Sequence, residues 1–409
     1  MSPTPSRPLW QGRALALIGI VLFAFSLRSA VASLSPVYAL IAVDFPVPPA
    51  IIGLIGTAPP ACYAIFGILT PQLERRFGLE RLALAAMVVA VGGMVWRGLA
   101  TDSITLLVAT SVIFAAVGVG NILLPPLVKK YFADRIGLMT TIYSTTMAVA
   151  SFTPPLVAVP VADAAGWRIS LGMWAVFAVV AMIPWIALLV HARAAGPDEE
   201  IESANPRVFR RMWRLPLAWA LTVGFTVSGA IAYTCFAWLP TLLVDTAGVT
   251  PAAAGALLSL FAAMGLPVSL FVPILVVRYN ATLVLFGISV AAGLIAIAGL
   301  LFAPAAAAWL WVMLLGIAPL LFPLTLVLLG LRVRTHEASV ALSGFVQSIG
   351  YGIVALFPIG IGLLHGATDS WTLPLIVMAA VVTAAIPAAA VAARTRTVED
   401  DWERRYGPW

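Results

Sequence analysis

Arg28 stands in the middle of FAFSLRSAVASLSPVY, residues 23–38, inside an apolar run that reads as a membrane span. A guanidinium at bilayer depth costs roughly 2.5–3.5 kcal/mol even on the most lenient scale. The run covers about 14–43, so Arg28 lies about fourteen residues from either end. At about 1.5 Å per residue that is some 20 Å, beyond the reach of snorkelling. The chemistry open to such a cation is recognition of a negative charge through the paired donors of the guanidinium. None of the 17 Asp and Glu residues falls at mid-depth of an apolar run. A buried charge without an internal partner is costly, so the missing partner is read as a substrate monoanion. The rival reading is a structural cation held by backbone carbonyls or a neighbouring carboxylate.

Other polar side chains at mid-depth are Asn121 in GVGNILLPP, Tyr143 and Ser144 in TIYSTT, Ser228 and Tyr233 in TVSGAIAYT, and Gln347, Ser348 and Tyr351 in VQSIGYG. Asn and Gln amides can donate to an anion, and Gln347 and Tyr351, four apart, share a helical face. Their ordinary alternative is interhelical hydrogen bonding, worth about 0.6 kcal/mol each. Arg97, in GGMVWRGLATD, is expected to snorkel to the nearby end of its span as a structural anchor. Trp238 reads either as a cavity residue or as part of an interfacial belt. His191, His336 and His365 lie at span ends or in a loop, and no carboxylate is placed for a proton relay. Facilitated flux, anion exchange or cotransport of a proton with the anion itself remain open.

The elements that must position these residues follow from composition. Of the 409 residues, 62% are hydrophobic and 10% charged, against roughly 25% charged in soluble proteins. The bilayer must be the solvent. The first apolar run is too long for a signal-peptide core of roughly 7–15 residues. Twelve segments are long enough for helices, near 14–43, 51–70, 82–100, 104–128, 137–161, 168–192, 215–243, 252–277, 281–303, 308–331, 340–364 and 372–393. Twenty of the 23 Lys and Arg, from Arg7 and Arg13 to Arg404 and Arg405, fall on the side of the N-terminus, while the opposite loops carry Asp44, Asp102, Asp163, Asp245 and Asp369. The positive-inside rule places both termini in the cytoplasm. It explains the net charge of +6 without nucleic acid as a partner. Cys62 and Cys235 form neither a disulfide framework nor a metal spacing.

The longest polar interruption, residues 193–214, divides an N-terminal six-span bundle (1–192) from a C-terminal one (215–394), with a cytoplasmic tail over 395–409. Its end, PRVFRRMWR, reads as a short interfacial helix or a plain tether. The halves echo each other: IAVDFPVPPAIIG at 41–53 and LLVDTAGVTPAAAG at 242–255, PQLERRFG at 71–78 and PILVVRYN at 273–280, GVGNILLP at 118–125 and GIAPLLFP at 316–323. Pro154 and Trp167 match Pro358 and Trp371 at one offset. Such a parallel repeat is a transporter architecture. Gly118 and Gly120 lack the GK[ST] of a phosphate loop and suit close helix contact instead. Pro125–Pro126, Pro154–Pro155, Pro319 and Pro323 are expected to kink their spans.

SLRSAVASLSPV, PQLERRFGLERL and GNILLPPLVKKYFADRIGLMT resemble the major facilitator superfamily, and within it the cyanate/2-nitroimidazole transporter-like family, over nearly the whole chain. The superfamily's loop after the second span is degenerate here, with Pro71 for the first Gly and Arg75 for the Asp. The resemblance implies an all-α fold of twelve membrane helices in two pseudo-symmetric six-helix bundles, alternating access, small anionic or nitro-aromatic substrates, and function as a monomer. By the same analogy spans 1, 4, 7 and 10 line the cavity, helped by 2, 5, 8 and 11. The reading is therefore a multi-pass cell-membrane transporter of a small monoanion, with Arg28, Asn121, Tyr143, Tyr233, Gln347 and Tyr351 at the substrate. No cofactor, metal or enzymatic chemistry is expected. The rival is efflux of nitroimidazole-like or other small drugs, which would not depend on Arg28.

Overall fold

The computed structural model describes residues 13–132, 135–191 and 206–409. Arg7, Arg193 and most of the 193–214 linker lie outside the described residues, as do the side chains of Arg75, Lys129, His191, Arg207 and His336. Among the described residues the chain is helical throughout, with twelve helices long and apolar enough to cross a membrane. The first half holds span 1 (Ala14–Asp44), span 2 (Pro49–Phe66, in a helix continuing to Phe77), span 3 (Leu79–Gly98), span 4 (Ser103–Phe132), span 5 (Ile142–Ala165) and span 6 (Trp167–Val190). The second holds span 7 (Pro216–Ala247), span 8 (Pro251–Tyr279), span 9 (Thr282–Phe302), span 10 (Ala308–Leu331), span 11 (Glu337–Thr368) and span 12 (Thr372–Ala392). An even number of crossings brings both termini to one face of the bundle. A short helix, Pro206–Met212, does stand before span 7 and packs Phe209 on Phe345 of span 11.

The sequence repeat appears as repeated contacts at the face opposite the termini. Asp44, ending span 1, accepts a hydrogen bond from Trp167 Nε1 at 3.0 Å, and Asp245, in span 7, accepts one from Trp371 Nε1 at 2.9 Å. Each pair ties the end of a half's first span to the start of its sixth. Arg168 adds an ion pair to Asp44 in the first half only.

Proline acts unevenly. Pro125, Pro126, Pro154 and Pro155 sit inside helices that stay continuous. Span 10 instead breaks into Ala308–Ile317, a tight 3₁₀ turn over Ala318–Leu320 and Leu321–Leu331. Pro323 has no N–H to offer the carbonyl four residues earlier, and that carbonyl, Pro319 O, accepts from Ser228 Oγ at 2.7 Å instead. Ser289 Oγ serves the neighbouring Ala318 O at 2.6 Å. Ser228→Ala removes this hydrogen bond, so a stability loss of about 0.5–1.5 kcal/mol is expected in thermal unfolding.

Span 1 is broken too, between Ala32 and the 3₁₀ turn Ser35–Val37. Arg97 fastens this break. It does not snorkel outward; it is fully buried and turns inward, donating to Ala30 O at 3.0 Å and Ser33 Oγ at 3.4 Å. These backbone and hydroxyl dipoles hold its charge where, among the described residues, no carboxylate pairs with it. Arg97→Ala removes a large buried side chain and both ties. A loss of about 2–4 kcal/mol in thermal unfolding, with ligand affinity unchanged, is the expected result.

At the termini face the C-terminal helix Val398–Tyr406 opens on a Thr397–Asp400 capping box. Glu399 Oε1 accepts from the Arg334 and Thr335 backbone N–H groups at 2.9 and 3.0 Å. Arg211, from the helix before span 7, has Trp402 and Trp409 rings at 4.9 Å each. The Thr397 backbone and side-chain hydrogen bonds hold the half-buried Asp400 carboxyl below its ordinary range. Its contribution is thus full above about pH 4 and fades as acid protonates it.

Candidate functional site

The central cavity follows from how the halves meet. At the face opposite the termini they touch closely. Thr57 Oγ1 of span 2 donates to Ala355 O of span 11 at 2.7 Å. A Cβ on Gly53 would lie 2.8 Å from Ile359 Cα, one on Gly56 would lie 2.6 Å from Ala237 Cβ, and one on Gly255 would lie 2.7 Å from Pro155 O. Leu34, Ile41, Ile52 and Ile55 of the first half accordingly belong to the same buried core as the second half. Toward the termini face the contact opens. A cavity of about 190 Å³ beside Arg28 adjoins one of about 490 Å³ that reaches exposed Ser144 and Thr145 in span 5 and Leu326 in span 10. One end is sealed and the other open.

Arg28 sits where these cavities meet and lines both. The Tyr233 hydroxyl lies within its reach, and Tyr351 and Tyr63 are its other electrostatic neighbours. Among the described residues no carboxylate pairs with it. The three phenols form one cluster drawn from both halves. Tyr63 meets Tyr351 edge to face at 5.4 Å and Tyr233 at 6.2 Å, and Phe225 backs Tyr351 at 4.9 Å. The buried Tyr63 hydroxyl lies beside Asn121 without a well-formed hydrogen bond. Phenol O–H groups can donate to an anion as readily as accept from Arg28. The cluster can therefore complete a guanidinium's work around a small negative group.

Of the residues singled out in the sequence, Arg28, Tyr233 and Tyr351 share the cavity wall. Asn121 stands one layer back, behind Tyr63. Tyr143 is half-buried against the first half's core. Gln347 is half-buried in span 11 but does not join Tyr351 on the cavity wall. Trp238 is no belt residue: it is buried and donates Nε1 to Pro358 O at 2.9 Å. Tyr63 escaped the sequence reading, though a phenol at mid-depth in ACYAIF, on a span expected to help line the cavity, was the available signal. Phe225, Phe236 and Phe322, which build the apolar wall, carry no such signal among 19 phenylalanines. Gly118 and Gly120 do permit close packing, against Cys62 O and the Leu27 side chain.

Known proteins align with this geometry. The chain is 31% identical over 373 residues to the 2-nitroimidazole transporter of Escherichia coli (strain K12), covering 89% of this chain and 92% of that one. It is 29% identical over 368 residues to an uncharacterized transporter, YycB, of Bacillus subtilis (strain 168), covering 89% and 90%. Against the cyanate transport protein CynX of Escherichia coli (strain K12) it is 27% identical over 302 residues, covering 71% and 74%. The crystal structure of a bacterial homologue of the human lysosomal transporter Spinster superposes with a TM-score of 0.69 at 16% identity, covering 95% of this chain and 98% of that one. Residues 16–355 match the Major Facilitator Superfamily. With twelve spans in two like halves around a cavity sealed at one end, the chain belongs to that superfamily and is a multi-pass membrane transporter of the cell membrane, not an enzyme.

Proposed function

We propose that the protein carries small monoanions by alternating access, with Arg28 as the charge partner of the substrate. The observation that carries this reading is a guanidinium midway along span 1 that faces a cavity and has phenols but, among the described residues, no carboxylate around it. A charge kept there without a fixed partner is best explained by a mobile one. The named activity of CynX concerns an anion, which accords with it. With the basic residues on the cytoplasmic side, the open end faces the cytoplasm and the sealed end faces outward.

A second reading draws on the apolar wall of Phe225, Phe236 and Phe322. That surface suits a neutral nitro-aromatic, in keeping with the name of the 2-nitroimidazole transporter. Thermal stabilisation of the purified protein separates the two, because a ligand that binds the native state raises its apparent stability. The monoanion reading expects cyanate, nitrate and small monocarboxylates to shift the unfolding temperature more than neutral nitroimidazoles do. Stabilisation by the neutral compounds alone would replace it with the drug-efflux reading.

A further inference from the structure

The cavity beside Arg28 is lined by two kinds of side chain. One is polar: Arg28, the Tyr233 and Tyr351 phenols and Ser151. The other is apolar and aromatic: Phe225, Phe236 and Phe322 with Pro319 and Pro323 of the broken span 10. Arg28 is the one charged residue lining either this cavity or its continuation, among the described residues.

Size then matters. The cavity offers about 190 Å³ to the centres of water-sized spheres, whereas one water needs only roughly 10–15 Å³ on that measure. An anion of three or four atoms, one or two waters in bulk, would neutralise Arg28 and leave most of the space to water against apolar rings. Space of that kind is better filled by apolar matter than by water. A second carboxylate would find no second cation, and an unpaired charge in such a site is penalised.

Resting on the reading of Arg28 as charge partner, we infer that the preferred substrate is an amphipathic monoanion: one carboxylate-like head at Arg28 and Tyr233, and a flat apolar body of about one ring against Phe225, Phe236 and Phe322. Phe225 packs edge to face on Tyr351 and at a tilt on Phe322, and a further ring gains from contacts of the same kind. Head and body are read by different spans, 1 and 7 for the charge and 7 and 10 for the ring. Binding one molecule therefore draws on both halves.

The test is a series of dissociation constants on the full-length protein in detergent, by titration calorimetry, for benzoate, cyclohexanecarboxylate, acetate, cyanate, phthalate and benzyl alcohol. Benzoate is expected to bind at least about 30-fold more tightly than acetate or cyanate, the order expected for burying one ring. Phthalate and benzyl alcohol are expected to bind more weakly than benzoate. Phe322→Leu should cut the benzoate-to-acetate preference several-fold while acetate itself is little changed, and Phe236→Leu repeats the test should the first variant fold poorly. Acetate and cyanate binding as tightly as benzoate, still dependent on Arg28, would overturn this inference and leave the monoanion carrier standing. Benzyl alcohol matching benzoate, with both indifferent to Arg28→Gln, would overturn the carrier reading itself.

Discussion

Arg28→Gln is expected to abolish any stabilisation by monoanions and, in proteoliposomes, any flux of them. Removing one partner of a buried, hydrogen-bonded charge pair costs about 2–5 kcal/mol, roughly 30-fold to a few thousand-fold in affinity. The same substitution has an opposite signature in the empty protein. Because, among the described residues, no carboxylate pairs with Arg28 and its neighbours are phenols, the variant strands no charge there. Exchanging a desolvated cation for a neutral side chain of similar size is often neutral, or stabilising by about 1–4 kcal/mol. The unliganded Arg28→Gln or Arg28→Met protein is thus expected to unfold at the wild-type temperature or above it. A structural cation behaves the other way, losing stability while leaving the ligand response intact. Arg28→Lys retains the charge but not the planar fork, so partial recovery is expected. Thermal unfolding with and without ligand reads both signs in one experiment.

The second large effect concerns the sealed end. Gly53→Val and Gly56→Val are expected to stop transport while sparing monoanion binding. Their side chains would run into Ile359 backbone and into Ala237 and Pro358 across the boundary between halves. Neither Gly lies on the cavity wall. Overpacking of this sort costs about 1–3 kcal/mol, and it is borne only by the state in which the two halves touch there. The balance between sealed and open states then shifts by roughly 5- to 150-fold. Alkylation of a Ser35→Cys reporter checks this, on a background lacking Cys62 and Cys235. Ser35 is 5% exposed in the structure, between the cavity and the sealed end. The reporter should become reactive in the glycine variants while flux falls at least about tenfold. An unreactive reporter with normal flux would mean that this contact does not open during transport.

Glycine and arginine show how far one dimension of information reaches. Span count, the repeat and the candidate cation could be read from the chain, because hydrocarbon thickness fixes helix length and lipid gives a charged residue nowhere to hide. Hence Arg28 was legible as a cation deep in a span, and the Asp44–Trp167 and Asp245–Trp371 pairs as matched positions. Whether a given charge turns to lipid, to a backbone carbonyl or to a cavity was not. Arg97, close to a span end, reads as a snorkelling residue, yet the break in span 1 offers Ala30 O and Ser33, and it turns inward. The partners that decide this lie 67 and 64 residues away along the chain.

The same distance separates the sequence from the pocket. Composition and span length determine that this protein lives in a bilayer as twelve helices, since those depend on each segment's own apolar content. The tertiary structure alone decides that Tyr63, Tyr233 and Tyr351, from three spans in two halves, surround one guanidinium. It alone decides that Asn121 stands behind them and that Gln347 stays off the wall. In a uniformly apolar helix no hydrophobic stripe marks which face meets which neighbour. Rotation and register are set by close packing between helices, and packing exists only once the neighbours are in place.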